Sequence, residues 1–182
     1  MMTSRELVKR AVLFQGPERI PYSLPDEYGT DIISGGVYPD PAWKPSFPGT
    51  ETRWEDEWHC VWERISGDIT KGQVTGHPLK SYDTFETFKW PDFKIPERYK
   101  ALKQLVETNT EDKFVLASID FSLMHRLEYL RGHENAWTDP YLEPDNLHKL
   151  LNKLSELAID QIDMVADAKV HGICSADDLG FQ

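Results

Sequence analysis

The chain has 182 residues, 40% of them hydrophobic, with six Trp, seven Tyr and eight Phe. That is enough for one globular domain, or a large part of one, with a real core. Its 31 acidic against 20 basic side chains leave a net charge of -11, which argues against nucleic acid or anionic lipid as partners, because both need clustered Lys and Arg. No apolar run approaches the roughly 18 residues of a transmembrane helix, and Met1-Met2-Thr3-Ser4-Arg5-Glu6 lacks a signal-peptide core. The expected setting is cytoplasmic, away from the membrane.

Thr3 with Glu6 forms a capping box, and Leu7, Val8, Ala11, Val12 and Phe14 recur at helical spacing up to a Gly16-Pro17 stop. Ile20 to Leu24 reads as a brief strand. Residues 25 to 50, rich in Pro, Gly and aromatics, read as an ordered but irregular excursion. Between Thr52 and Ile65, Trp54, Asp56, Trp58, Cys60 and Trp62 alternate at period two, which suggests a strand, with a helix as the alternative. Gly67-Asp68 is a turn, Gln73 to Leu79 a short extended piece, and Trp90-Pro91-Asp92 a break.

Pro96 opens a helix carrying Tyr99, Leu102, Leu105 and Val106, which Thr108-Asn109-Thr110 ends. Phe114 to Ile119 is an apolar run finishing at Asp120. A helix over Ser122 to Leu130, a break at Gly132, and a long helix from Pro144 to Ala168 follow. In the long helix, Leu147, Leu150, Leu151, Leu154, Leu157, Ala158, Ile162 and Val165 form one apolar stripe. Gly172-Ile173-Cys174-Ser175-Ala176 then runs into Asp177-Asp178. Strand, helical crossover and strand predict a right-handed βαβ unit in a parallel sheet, with two strands ending in Asp. Cys60 and Cys174 have no metal or redox spacing and are expected to be small buried residues.

Several segments in order carry a family resemblance. They are Thr3 to Glu6 with Pro17-Glu18-Arg19-Ile20-Pro21, Asp56-Glu57-Trp58, Gly72 to Leu79, Leu130-Arg131-Gly132-His133-Glu134-Asn135, and Ala176-Asp177-Asp178-Leu179-Gly180. Together they resemble the uroporphyrinogen decarboxylase superfamily, which has a (β/α)₈ barrel and includes decarboxylases and corrinoid-dependent methyltransferases. A complete barrel takes about 250 residues. The resemblance therefore implies an α/β fold in which 1–182 is the N-terminal portion of one such barrel domain. Such a portion is either truncated or a half-barrel that self-associates or pairs with a missing C-terminal half.

The resemblance also sorts the chemistry. Authentic decarboxylases hold the substrate carboxylates with two closely spaced arginines. Here the corresponding Pro25-Asp26-Glu27-Tyr28-Gly29-Thr30-Asp31 has no arginine and three acids. The methyltransferase branch is therefore favoured: methyl transfer from a corrinoid partner to a thiol, or the reverse, with zinc held by His and Cys from the barrel's second half. His59 with Cys60, His125 with His133, and His171 with Cys174 lack zinc spacing. This segment alone is expected to bind no metal or cofactor and to be inactive by itself. Its partners would be a small-molecule substrate or a corrinoid protein.

The candidate catalytic residues are Asp178, Asp120 and Asp56. Asp177 and Asp178 point to opposite faces of an extended backbone. If Ile173 packs outward, Cys174, Ala176 and Asp178 face the mouth, where barrel enzymes carry their chemistry. The competing role for Asp120, Asp177 and Asp178 is helix capping. Asp56 resembles the decarboxylase aspartate that holds pyrrole nitrogens, against a role as an exposed acid on a strand. His77, Trp58 and Asp177 are candidates for substrate binding: His77 as a base or donor rather than a surface-loop histidine, and Trp58, with Trp54 and Trp62, as a stacking surface rather than core. Two alternatives remain. One is decarboxylation of a tetrapyrrole, with Arg53, Arg64, Arg126 and Arg131 as the nearby cations. The other is a non-catalytic binding or assembly module.

Overall fold

The computed structural model describes residues 2–43, 51–68, 70–119 and 121–177. In chain order its elements are α1 (Ser4–Val12), β1 (Ile32–Gly36), β2 (Arg53–Glu55), β3 (Val61–Glu63), β4 (Gln73–Gly76), α2 (Lys100–Glu107), β5 (Phe114–Ser118), α3 (Leu123–Arg131), α4 (His133–Leu142), α5 (Pro144–Asp167) and β6 (Gly172–Cys174). They form a mixed α/β fold divided into two compact units. One comprises Met1–Tyr38, Pro96–Asp120 and Gln161–Ser175; the other comprises Pro39–Ile95, Phe121–Asp160 and Ala176–Gln182.

The first unit holds a parallel sheet in the order β1-β5-β6. β5 and β6 are neighbours joined by helices, as the βαβ pattern predicts. One face carries the row Gly35, Ala117 and Ile173. On that side Ala117 packs with Tyr99, Leu102, Val165 and Ala168 in the core, flanked by Val37, Ile119, Met164 and Val170. β1 falls inside the stretch expected to be irregular. Its Ser34-Gly35-Gly36 resembles a turn, yet a Cβ on Gly35 would stand 2.8 Å from Leu102 Cδ2 and 3.1 Å from Leu105 Cδ2. The bare Gly35 lets the Leu102 and Leu105 side chains of α2 lie close on the strand.

The Thr3 hydroxyl accepts the Glu6 N–H at 3.3 Å, the expected cap. α1 buries Leu7 and Val8 but ends at Val12, earlier than the glycine stop. Phe14 turns the chain at φ +57°, leaving Val12 and Phe14 exposed rather than packed. The strand expected over Ile20 to Leu24 reduces to a single bridge between Ser23 and Thr30.

What organises that segment is Asp31, which is 2% exposed. Its carboxylate accepts two bonds from Arg19 (2.6 and 2.8 Å), one from the Ser4 hydroxyl (2.6 Å) and one from the Tyr22 N–H (2.6 Å). The Arg19 bonds, against the opposing effect of burial and with Ser4 and Tyr22 adding, hold Asp31 well below the usual carboxylate range. A depressed folded pKa means the stabilisation is present above the ordinary value of 3.8 and is lost as pH falls below it. Arg19 is 41% exposed, so screening limits the gain. Asp31→Asn is expected to cost about 2 kcal/mol in urea unfolding at pH 7. The gap to wild type should shrink as the medium is acidified below that value.

The second unit contains an antiparallel sheet in the order β2-β3-β4. The single strand expected between Thr52 and Ile65 is therefore a hairpin, and not every strand is parallel. Period-two alternation continues through the turn in the sequence, but the chain reverses at Asp56 to Cys60, with His59 at φ +60°. Trp54 and Trp62 pair across the strands with rings 6.3 Å apart and nearly parallel. The stripe of α5 is core at Leu147, Leu150, Leu154, Leu157 and Val165, while Ile162 is 40% exposed.

Helix α4 lacks any sequence signal. Pro140 lies inside it, and Trp137, Tyr141 and Leu142 are exposed, so no apolar stripe marks it. Gly132, at φ +83°, ends α3 and leads into α4. No helix among the described residues is long and apolar enough to cross a membrane.

Candidate functional site

Parallel strands deliver their C-terminal ends to one edge of a sheet, where α/β proteins bind ligands. In the first unit that edge is the row Gly36, Ser118 and Cys174, paired in register and all exposed. Alternation puts the row on the face opposite the Gly35–Ala117–Ile173 core row, together with Ser34, Leu116 and Gly172. A Cβ on Gly172 would meet the Phe114 ring at 3.1 Å and Leu116 at 3.3 Å, which confirms that these residues share a face. Backbone bonds carry the pairing past the strands, from Val37 N–H to Ser118 O (3.3 Å) and from Ile119 N–H to Cys174 O (3.1 Å).

The tip is small, polar and open. Cys174 is exposed, in contrast to the expected burial, because β6 is an edge strand among the described residues and this face of it is uncovered. Ile173 lies on the core face, as Cys174's inward orientation required. At 38% exposure it is only partly covered there, because the edge strand has a neighbour on one side. Asp120 and Asp178 lie outside the described residues. Gly36 escaped notice because β1 did. Ser118 was within reach, since counting back by two from Asp120 arrives at it.

The other candidates belong to the second unit. Asp56 is 3% exposed, not the surface acid that was the competing expectation. One carboxylate oxygen accepts the N–H groups of Trp58 (2.9 Å) and Cys60 (3.0 Å), and the other accepts the Trp62 indole N–H (2.7 Å), with Arg126 Nη1 at 3.9 Å. Asp56 therefore builds the β2–β3 turn from inside. Trp58 is 2% exposed, packs against Phe93 and Phe121, and has the Arg126 guanidinium 4.2 Å above its ring. It occupies core, as does Trp62.

His77 is half-buried, with Nδ1 2.9 Å from the Tyr129 carbonyl and its ring against Gly132. With that bond the neutral ring carries its proton on Nδ1, and Nε2 is the acceptor. Asp177 accepts the Ser122 hydroxyl and the Met124 N–H (2.9 Å), with His125 Nδ1 at 3.9 Å. Ser122 in turn accepts the His125 N–H as the N-cap of α3. Burial raises the Asp177 pKa, but the Ser122 and backbone bonds and nearby His125 outweigh it, so the carboxyl lies below its ordinary value. Asp177 thus serves an earlier helix than the one expected to follow it. Its bond to Ser122 is the wrong order for a nucleophilic triad, in which histidine would take the serine proton.

Burial, with Asp56 adding, pushes the Cys60 thiol up and keeps it protonated. Among the described residues no three His, Cys, Asp or Glu side chains are grouped to hold a metal ion. Comparison with protein-family models, curated proteins and solved structures finds no match.

Proposed function

We propose that the parallel sheet is an arc of a (β/α) barrel of the uroporphyrinogen decarboxylase type, and that its strand tips bind the small molecule in methyl transfer between a corrinoid partner and a thiol. The observation that carries this reading is the exposed row Gly36, Ser118 and Cys174 at the C-terminal ends of three parallel strands. Gly36 leaves room above the sheet, Ser118 offers one hydroxyl to orient a ligand, and Cys174 adds a soft sulfur suited to contact with a thioether or thiol. The reaction choice rests on the ordered motif resemblance.

Decarboxylation of a carboxylated tetrapyrrole draws less support, because it needs cations to clamp several carboxylates. Arg53 is taken by Glu63 at 2.7 Å, Arg64 by the carbonyls of Glu51 and Thr70, and Arg131 by Asp139. Arg126 is buried beneath Trp58. An assembly role has one observation behind it: β1 and β6 each pair on a single side among the described residues.

Assays of this chain together with the second half of the proposed barrel, with methylcobalamin, a small thiol and added zinc, and separately with uroporphyrinogen, distinguish the three. Thiol methylation with demethylation of the cobalamin is the expected result. Coproporphyrinogen formation, or neither activity together with a stable complex, would replace this reading.

A further inference from the structure

A second site lies at the other end of the same sheet. There a cleft of about 600 Å³ is lined by Arg5, Glu6, Lys9, Val12, Leu13, Phe114 and His171, a volume typical of small-molecule pockets. One wall is a single face of α1: residues 5, 9 and 12 follow at helical spacing, with 6 and 13 beside them. The other wall is the start of β5 and the residue that precedes β6.

The chemistry of the walls is split. Arg5 pairs with Asp112 at 2.9 Å and Glu6 with Arg10 at 2.8 Å, so the acids around the cleft are already matched. Lys9 is exposed, and no described side chain takes its ammonium. His171 is locked to Val115 of β5 by two bonds. Its N–H donates to the Val115 carbonyl, and its Nδ1 accepts the Val115 N–H, each at 2.9 Å. The neutral ring therefore carries its proton on Nε2, which remains as a donor. In a chain with net charge -11, the cleft is a locally cationic spot, and Val12, Leu13 and Phe114 supply an apolar surface beside it.

We propose that this cleft binds a small carboxylate with an apolar body, its oxyanion held by Lys9, Arg5 and the His171 Nε2–H and its hydrocarbon against Val12, Leu13 and Phe114. The combination selects for both halves of the ligand. An isolated oxyanion gains no burial, and a neutral alkyl chain leaves the Lys9 ammonium unmatched. The site stands on its own at the N-terminal ends of the strands and does not depend on the methyl-transfer reading.

Calorimetric titration with octanoate tests it, with 1-octanol as the apolar control and inorganic phosphate as the oxyanion control. Octanoate is expected to bind saturably, at least about tenfold tighter than either control. Lys9→Glu, at an exposed position, should weaken octanoate by about tenfold without moving Tm, and Val12→Asp should do the same from the apolar side. The proposal is overturned if octanoate does not saturate, if either control binds as well, or if Lys9→Glu binds octanoate like wild type.

Discussion

Arg131→Met is expected to cost about 3 to 5 kcal/mol of folding stability, the largest loss from any single replacement considered, because it strands a buried carboxylate. Arg131 and Asp139 have side chains 5% and 2% exposed and meet in a two-pronged pair at 2.7 and 2.9 Å. The Tyr82 hydroxyl donates to the same carboxylate at 2.7 Å, and its ring lies 3.8 Å from the guanidinium carbon. The remaining Arg131 nitrogen donates to the carbonyls of Leu79 and Lys80. One guanidinium thus ties together α3, α4 and the Leu79–Lys80 turn.

Burial raises the Asp139 pKa, but the bonds from Arg131 and Tyr82 prevail and hold it below its ordinary value. Burial, and then the bond to Asp139, pushes the Tyr82 hydroxyl well above its usual range. Because the folded Asp139 pKa is depressed, the pair's stabilisation is present above pH 3.8 and falls away in more acidic solution. Arg131→Met with Asp139→Leu should recover only part of the loss, since Leu79 and Lys80 keep unpaired carbonyls and Tyr82 an unpaired hydroxyl. Urea unfolding at pH 7 measures both. A cost below about 1 kcal/mol for the single replacement would contradict the network.

The elements legible in the sequence are those whose signals are local. The Thr3 cap of α1, the start of α3 near Ser122, the stripe of α5 and the apolar run of β5 each lie within a few neighbouring residues, and each is present. β1 depends on distant partners instead: Ser34-Gly35-Gly36 is strand through its pairing with β5, and the bare Gly35 lets Leu102 and Leu105 pack close on it. The β2–β3 hairpin was hidden by its own pattern, because Asp56, Trp58 and Cys60 keep the alternation while the Asp56 carboxylate folds the backbone around itself. Asp177 was legible as a capping residue but not as the cap of α3, whose Ser122 lies 55 positions earlier. The orientation of Cys174 follows from alternation alone, whereas its exposure depends on what covers β6.

Ser118→Phe is expected to reduce methyl transfer by about 100-fold or more while leaving the fold intact. Ser118 lies between Gly36 and Cys174 at the tip of the central strand and is exposed there, so a ring fills the proposed site without entering the core. Substitutions at such exposed positions change stability by only about 0.5 kcal/mol. Displacing a bound reactant by about 1 Å is enough for a hundredfold loss of rate. Ser118→Ala, which removes the hydroxyl but keeps the space, should retain most of the activity. The direct test is the rate of thiol methylation from methylcobalamin by the proposed barrel completed with its second half, with and without Ser118→Phe, together with thermal unfolding of both. Turnover without the substitution, loss with it and superimposable melts are expected. A folded Ser118→Phe protein that methylates thiol within about twofold of the wild-type rate would place the chemistry away from these strand tips.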